Sequence, residues 1–290
     1  MTFEGFYAAT LTTFNQDETV NYDDLQSLIK YNCGLGLKGL YVGGSTAEAF
    51  LCNTAERIEI LKATKESAEG ATLIAHVGDI STKKSIEIAR AAADLNYDAI
   101  SAVTPFYYPV GFAELKRHYQ DIIEAAGKPM VVYNFPAFSG SRLSRAQINE
   151  LINLDGVIAL KQTSADLYQM EQLTRSNPGK PIYNGFDEIL ASGLMAGANG
   201  GIGSTYNIQA QRILDINASI EANDLTKARE LQREANIVID ALVGGGVIPS
   251  LKYVLKEKGV IKSDVCRRPM NVVSDENKAK LDTLMKEGLC

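Results

Sequence analysis

Short apolar runs recur along the chain, each bounded by glycine, proline or a polar turn and each followed by helical apolar spacing, and no other feature restricts the fold as much. Eight runs can be read, at 6–12, 39–42, 73–77, 99–103, 130–133, 157–160, 182–183 and 200–203, the last two being weak. Helical spacing fills 23–31, 54–68, 81–95, 112–125, 144–152, 167–174, 188–195 and 208–220. Thr54, Ser81 and Ser144 stand where N-caps belong, the last in a Ser-x-x-Gln capping box with Gln147.

Strand-then-helix alternation over residues 1–222 predicts an α/β fold, the closed parallel (β/α)8 TIM barrel, which typically needs about 250 residues. A doubly wound open sheet is the alternative. Its G-x-G-x-x-G turn is missing, because the first run leads into Phe14-Asn-Gln-Asp17 instead. After Ala222 the alternation stops, and 224–242, 249–258 and 275–287 all read as helices. Residues 223–290 are therefore expected to form a C-terminal helical extension of a single domain spanning 1–290. Gly244-Gly-Gly246 is then a turn, and no Gly-Lys-Ser or Gly-Lys-Thr follows to make a phosphate loop.

A net charge of -6 offers no basic footprint for nucleic acid or for an anionic membrane. No signal-like N-terminus or run of 18 apolar residues is found, so a cytoplasmic protein is expected. Cys33, Cys52, Cys266 and Cys290 are scattered without a CxxC pair and are expected to be reduced. With only His76 and His118, a three-histidine metal site is impossible, and carbonyl chemistry is pushed toward lysine. His76 is expected to be a hydrogen-bonded barrel residue, and His118 to lie on a helix surface.

Active sites of such barrels lie at the C-terminal ends of the strands. There the chain offers Gly43-Gly-Ser45-Thr46, Thr104-Pro-Phe-Tyr107-Tyr108, Tyr133-Asn-Phe-Pro136, Lys161-Gln-Thr163, Asn184-Gly185-Phe-Asp187-Glu188 and Gly203-Ser204-Thr-Tyr206. Lys161 ends the apolar run after Gly156 and admits two readings. It can snorkel to water from a strand end, or it can sit in an apolar pocket that disfavours its ammonium and frees a nucleophilic amine. The glycines and hydroxyls at 43–46 suit a carboxylate, or are an ordinary turn. Tyr133, on the neighbouring strand, can shuttle a proton to whatever Lys161 attacks, or is a buried tyrosine with a satisfied hydroxyl.

The blocks Leu40-Tyr-Val-Gly-Gly-Ser-Thr46, Ile74-Ala-His-Val-Gly78, Ser101-Ala-Val-Thr-Pro-Phe-Tyr-Tyr-Pro109, Val131-Val-Tyr-Asn134, Ala159-Leu-Lys-Gln-Thr-Ser164, Tyr183-Asn-Gly-Phe-Asp-Glu188 and Gly201-Ile-Gly-Ser-Thr-Tyr-Asn207 carry a resemblance over nearly the whole chain. In that order they resemble the dihydrodipicolinate synthase/N-acetylneuraminate lyase family of lysine-dependent pyruvate aldolases. The resemblance implies Lys161 as the Schiff-base lysine and Tyr133 as the proton carrier, both catalytic. It implies Ser45 and Thr46 on the substrate carboxylate, with Ser45 also catalytic, and Thr163 by the reacting hydroxyl. Gly185, Asp187, Glu188 and Ser204 would bind a polyol tail, and catalytic Tyr107 would reach into a neighbouring subunit's site in a homotetramer.

The implied reaction is reversible cleavage of N-acetylneuraminate to pyruvate and N-acetylmannosamine, with no metal or organic cofactor. Dihydrodipicolinate synthases of the family carry an arginine soon after Tyr-Asn-x-Pro for a second carboxylate. Here Ala137-Phe-Ser-Gly140 follows and Arg142 comes later, which favours a polyhydroxylated tail. Another pyruvate-dependent aldolase or hydro-lyase of the family, such as a 2-keto-3-deoxy sugar acid aldolase, is the alternative activity; a catalytically silent sugar-acid binding barrel is the alternative class. Ala47 departs from the family's glycine in Ser-Thr-Gly-Glu. If the position needs positive φ, alanine adds strain of about 1 kcal/mol, and Ala47→Gly is predicted to lower the Michaelis constant.

Overall fold

A computed structural model describes residues 3–290. Eight parallel strands close into a barrel in sequence order: β1 (Gly5–Ala9), β2 (Gly39–Val42), β3 (Thr72–His76), β4 (Ala99–Val103), β5 (Met130–Asn134), β6 (Val157–Gln162), β7 (Ile182–Asn184) and β8 (Gly200–Gly203). The helices between and after them are α1 (Tyr22–Cys33), α2 (Thr54–Ser67), α3 (Thr82–Asp94), α4 (Phe112–Ala126), α5 (Pro136–Ser139), α6 (Arg145–Ile152), α7 (Leu167–Ser176), α8 (Leu190–Met195) and α9 (Tyr206–Glu221). All eight expected runs are strands, the short ones at 182 and 200 included.

Each strand is buried on both faces, and its alternate residues serve two cores. Tyr7, Ala9, Tyr41, Ile74, Ala99, Val131, Tyr133, Ala159, Tyr183 and Ile202 fill the barrel interior. Their neighbours Ala8, Leu40, Val42, Leu73, Ala75, Ile100, Val132 and Leu160 pack against the helices. Lys161 has the parity of Ala159, and β6 continues one residue past it. In the sheet register Tyr133 on β5 faces Lys161, and Lys161 faces Tyr183 on β7, so the three form one row.

Local chemistry sets the helix starts, with three adjustments to the expectation. Ser144 and Gln147 form the capping box of α6. For α2, however, the cap is Asn53, in a capping box with Glu56, and Thr54 is already helical. Ser81 occupies the cap position of α3 without a side-chain capping bond. The expected helix at 188 begins with a 3-10 turn, Asp187–Ile189, and becomes α-helical at Leu190. The short α5 had no periodic signal and starts on Pro136, which suits a first helical turn.

The C-terminal extension is α10 (Leu225–Gly244), α11 (Val247–Glu257) and α12 (Asp275–Lys286). Val238, Leu242, Leu251, Val254, Leu255, Ile261 and Leu281 bury against Leu11 beyond β1, Leu28 of α1 and Ile208 of α9. The extension therefore leans on the part of the rim where β1 and β8 end. No single helix among the described residues is long and apolar enough to cross a membrane.

His118 corrects its expectation. It is 4% exposed, lies on the inner face of α4, and its Nδ1 is 2.9 Å from the Thr82 hydroxyl. Burial lowers its pKa to about 4, so it is a neutral packing residue.

Candidate active site

The barrel interior decides the state of Lys161. Its side chain is 6% exposed, and Nζ lies 4.2 Å from the centroid of the Tyr133 ring and 4.5 Å from that of Tyr41. Removal from water lowers its pKa from 10.5 to about 7, against a smaller upward pull from the Asp187 carboxylate. Lys161 does not snorkel: it is buried in the barrel with its amine against the Tyr41 and Tyr133 rings. Tyr41 was not foreseen as its neighbour, although it has the interior parity in the fully buried run Leu40-Tyr41-Val42.

Asp187 is the acid of this mouth. Its Oδ2 accepts from the Thr205 N–H at 2.9 Å and from the Thr205 hydroxyl at 2.8 Å, while Oδ1 is buried and unpartnered among the described residues. Burial raises its pKa to about 6, opposed by those two hydrogen bonds. At neutral pH the mouth thus holds a carboxylate and an amine whose burial favours its free base. The phenol of Tyr133 is pushed up to about 12 by burial, and the Thr163 and Ser45 hydroxyls act in the opposite direction.

The loop after β2 brings the anion-binding candidates. Gly43 has φ +73°, which turns the chain, and Gly44 leaves no room for a Cβ against the Tyr41 ring. Ser45, Thr46 and Ala47 then make one 3-10 turn. The Thr46 hydroxyl meets that of Ser204, beyond β8, at 2.6 Å, so the loops of β2 and β8 touch. Directly after β7, Gly185 lies so close to Thr163 that an added Cβ would fall 1.9 Å from Thr163 Oγ1.

Lys161, Tyr133, Ser45, Thr46, Thr163, Gly185, Asp187 and Ser204 all stand at this end of the barrel. Glu188 is exposed at its edge, with its backbone carbonyl accepting from Asn236 of α10. Tyr107 points away, 83% exposed, and has φ +74°. Arg142 is exposed. Phe135 stacks near Tyr133 at 5.8 Å and contacts Phe138 at 4.2 Å and Phe186 at 5.9 Å, an aromatic wall that was not expected. His76 is the expected structural residue: its Nδ1 is 3.0 Å from the Gly43 carbonyl, and its Nε2 accepts from the Val103 N–H at 3.2 Å.

The strain expected at Ala47 is absent. The left-handed residue is the next one, Glu48, with φ 55°, while Ala47 sits in the 3-10 turn and borders a small cavity with Thr12, Cys52, Arg57 and His76. A methyl group needs nothing special there.

The chain is similar to known proteins over nearly its whole length. Residues 2–288 match the Dihydrodipicolinate synthetase family. N-acetylneuraminate lyase 2 of Escherichia coli O6:H1 is 51% identical over 286 residues, covering 98% of this chain and 93% of that protein. Among solved structures, CdNal from Clostridium difficile in complex with mannosamine superposes with a TM-score of 0.96 at 35% identity, over 99% of both chains. The N-acetylneuraminate lyase of Fusobacterium nucleatum complexed with pyruvate has a TM-score of 0.92 at 33% identity, over 98% of this chain and 96% of that one.

Proposed function

We propose, from the premise that the chain belongs to the dihydrodipicolinate synthetase family, that it is an N-acetylneuraminate lyase, cleaving N-acetylneuraminate reversibly to pyruvate and N-acetylmannosamine. The full-length lyases at about half identity support this reading. The single observation that carries the chemistry is Lys161, a buried amine with a pKa of about 7 against the Tyr41 and Tyr133 rings.

In this reading the free amine of Lys161 adds to the C2 ketone of the open-chain sugar acid, and the carbinolamine hydroxyl takes up one proton from solvent and leaves as water, giving a protonated imine. As the C3–C4 bond breaks, its electron pair flows to the imine nitrogen and leaves an enamine. The C4 hydroxyl proton departs through Tyr133. A phenol at about 12 is a weak base at neutral pH, so Tyr133 acts as a relay, passing its own proton to the substrate carboxylate as it takes the new one. Protonation of the enamine at C3 and hydrolysis of the imine release pyruvate and restore the amine. The chemistry needs no metal or organic cofactor.

Ser45 and Thr46 hold the substrate carboxylate and Thr163 adjoins the reacting hydroxyl. Gly185, Asp187, Glu188 and Ser204 hold the polyol tail. Residues 223–290 act with the barrel as one domain, and a cytoplasmic setting belongs to the same proposal. Four chains assemble, with Tyr107 of each entering a neighbour's site, which its exposure and left-handed backbone support; sedimentation at assay concentration tests the assembly.

The function is tested by incubation with N-acetylneuraminate and by pyruvate plus borohydride. Equimolar pyruvate and N-acetylmannosamine are expected, with a stable mass added to the Lys161 peptide. Absence of cleavage together with turnover of a shorter keto-acid would indicate a different aldolase. No labelling at all would leave a binding protein.

A further inference from the structure

One ion pair among the described residues is buried more completely than the others, and it does not involve Lys161. Glu48 follows the Ser45-Thr46-Ala47 turn directly, and Lys252 lies on α11 of the C-terminal extension; both side chains are wholly inaccessible. Lys252 Nζ donates to Glu48 Oε1 at 2.5 Å and to the Val265 carbonyl at 2.8 Å, and lies 4.5 Å from the Phe14 ring centroid. Glu48 Oε2 accepts the Arg267 N–H at 2.8 Å. The Cys266 thiol adjoins the pair.

The far end of the same loop is also held by the extension. The Arg267 guanidinium donates to the Leu51 carbonyl at 3.0 Å, to the Glu18 carbonyl at 2.9 Å and to both oxygens of Glu56 in the first turn of α2. Ahead of Glu48 the loop has turn hydrogen bonds of its own, such as Ala47 N to Gly44 O at 3.0 Å and Glu48 N to Ser45 O at 3.1 Å, and two side-chain links to the barrel, Thr46 to Ser204 and the Gly43 carbonyl to His76. The strand ladder stops at Val42.

A buried ion pair is a poor source of net stability, because desolvating two charges offsets their attraction; its geometry, however, is sharply defined. Here it also holds a non-glycine residue in the left-handed region, a conformation that persists only where the surroundings over-determine it. We infer that the Glu48–Lys252 pair is a positioning device by which the C-terminal extension sets the Ser45–Thr46 turn for the pyruvate carboxylate. Glu48 and Lys252 touch no substrate atom. They fix where the Ser45 and Thr46 hydroxyls stand relative to Lys161, a role that rests on the carboxylate-binding reading of this loop.

The test is a double variant, Glu48→Gln with Lys252→Met, which removes both buried charges together and keeps an acceptor for the Arg267 N–H. Its thermal unfolding is compared with wild type, and the concentration dependence of borohydride trapping is measured with pyruvate. Half-saturating pyruvate is expected to rise by at least about tenfold, while the trapping yield at saturation and the KM for N-acetylmannosamine in the synthetic direction stay near wild type. A purely structural role would lower the saturating yield and kcat instead, leaving half-saturation in place, and would overturn the inference. If the double variant does not fold, Glu48→Asp, which keeps both charges and shortens the reach to Lys252 by one methylene, is measured in the same way and read by the same two outcomes. Wild-type protein that pyruvate does not label at all would overturn the function reading rather than this one.

Discussion

Lys161→Met should make the protein more stable as it removes activity. The lysine has an ordinary pKa of 10.5 when solvated and about 7 in the barrel, so the folded state resists its protonation. The unfolded chain binds the extra proton more readily, so stability rises with pH across that window. At pH 7 the difference amounts to about 4 kcal/mol against the native state, falling below about 1 kcal/mol by pH 10, when the unfolded lysine is also losing its proton. Methionine keeps the unbranched apolar stem between the Tyr41 and Tyr133 rings and carries no charge. The variant is therefore expected to unfold at higher urea than wild type at pH 7, with a thermal midpoint up by roughly 10 °C at equal protein concentration. The advantage should shrink steadily toward pH 10. Urea titrations of both proteins at pH 6, 7, 8.5 and 10, monitored by tyrosine fluorescence, read this directly. A variant equal to wild type in stability, or one whose advantage does not change with pH, would show that Lys161 is solvated and that the account of its nucleophilicity is wrong.

Three further outcomes follow from the site. Asp187→Asn removes the carboxylate that favours the Lys161 ammonium, so the midpoint of pyruvate trapping by cyanoborohydride should move to lower pH; movement to higher pH would contradict the electrostatics. Gly185→Ala forces a methyl group onto Thr163 Oγ1, and cleavage is expected to fall by more than about tenfold; wild-type turnover would mean that the two strand ends move apart freely. Ala47→Gly should leave the Michaelis constant unchanged and lower unfolding stability by about 0.4 to 1 kcal/mol, since Ala47 needs no left-handed backbone; a lower Michaelis constant would restore the strained-loop expectation.

The barrel was legible because a strand buried on both faces writes a continuous apolar run between turn residues, and the pattern repeats eight times. Even Gly200–Gly203, with a single side chain larger than hydrogen, is placed by its neighbours. What a run cannot express is parity, since both faces are apolar. Lys161 therefore looked like a strand end, when its alternation with Ala159 puts it inside. Backbone angles were equally hidden: the left-handed position in the Ser-Thr-Ala-Glu turn falls on Glu48, one residue after the one suspected. His118 is buried rather than exposed because the inner face of α4 accommodates an imidazole once Thr82 satisfies one nitrogen, a pairing across 36 residues that local spacing does not show.

The Glu48–Lys252 pair shows where sequence legibility ends and also what signal remained. Its members are 204 residues apart, and a glutamate after a turn or a lysine on a helix ordinarily faces water. Yet Lys252 interrupts Pro249-Ser-Leu-Lys-Tyr-Val-Leu255, every residue of which is buried, so an unpaired cation there is physically untenable. The same consideration singled out Lys161 after Val157-Ile-Ala-Leu160. One buried lysine meets a carboxylate at 2.5 Å; the other has only aromatic faces and a more distant acid, and is pushed toward its free base. Pairing decides between the two fates. A lysine inside an apolar run is therefore sorted into a structural clamp or a nucleophile by whether its amine meets a carboxylate, which here requires the fold to bring the second loop of the barrel against its eleventh helix.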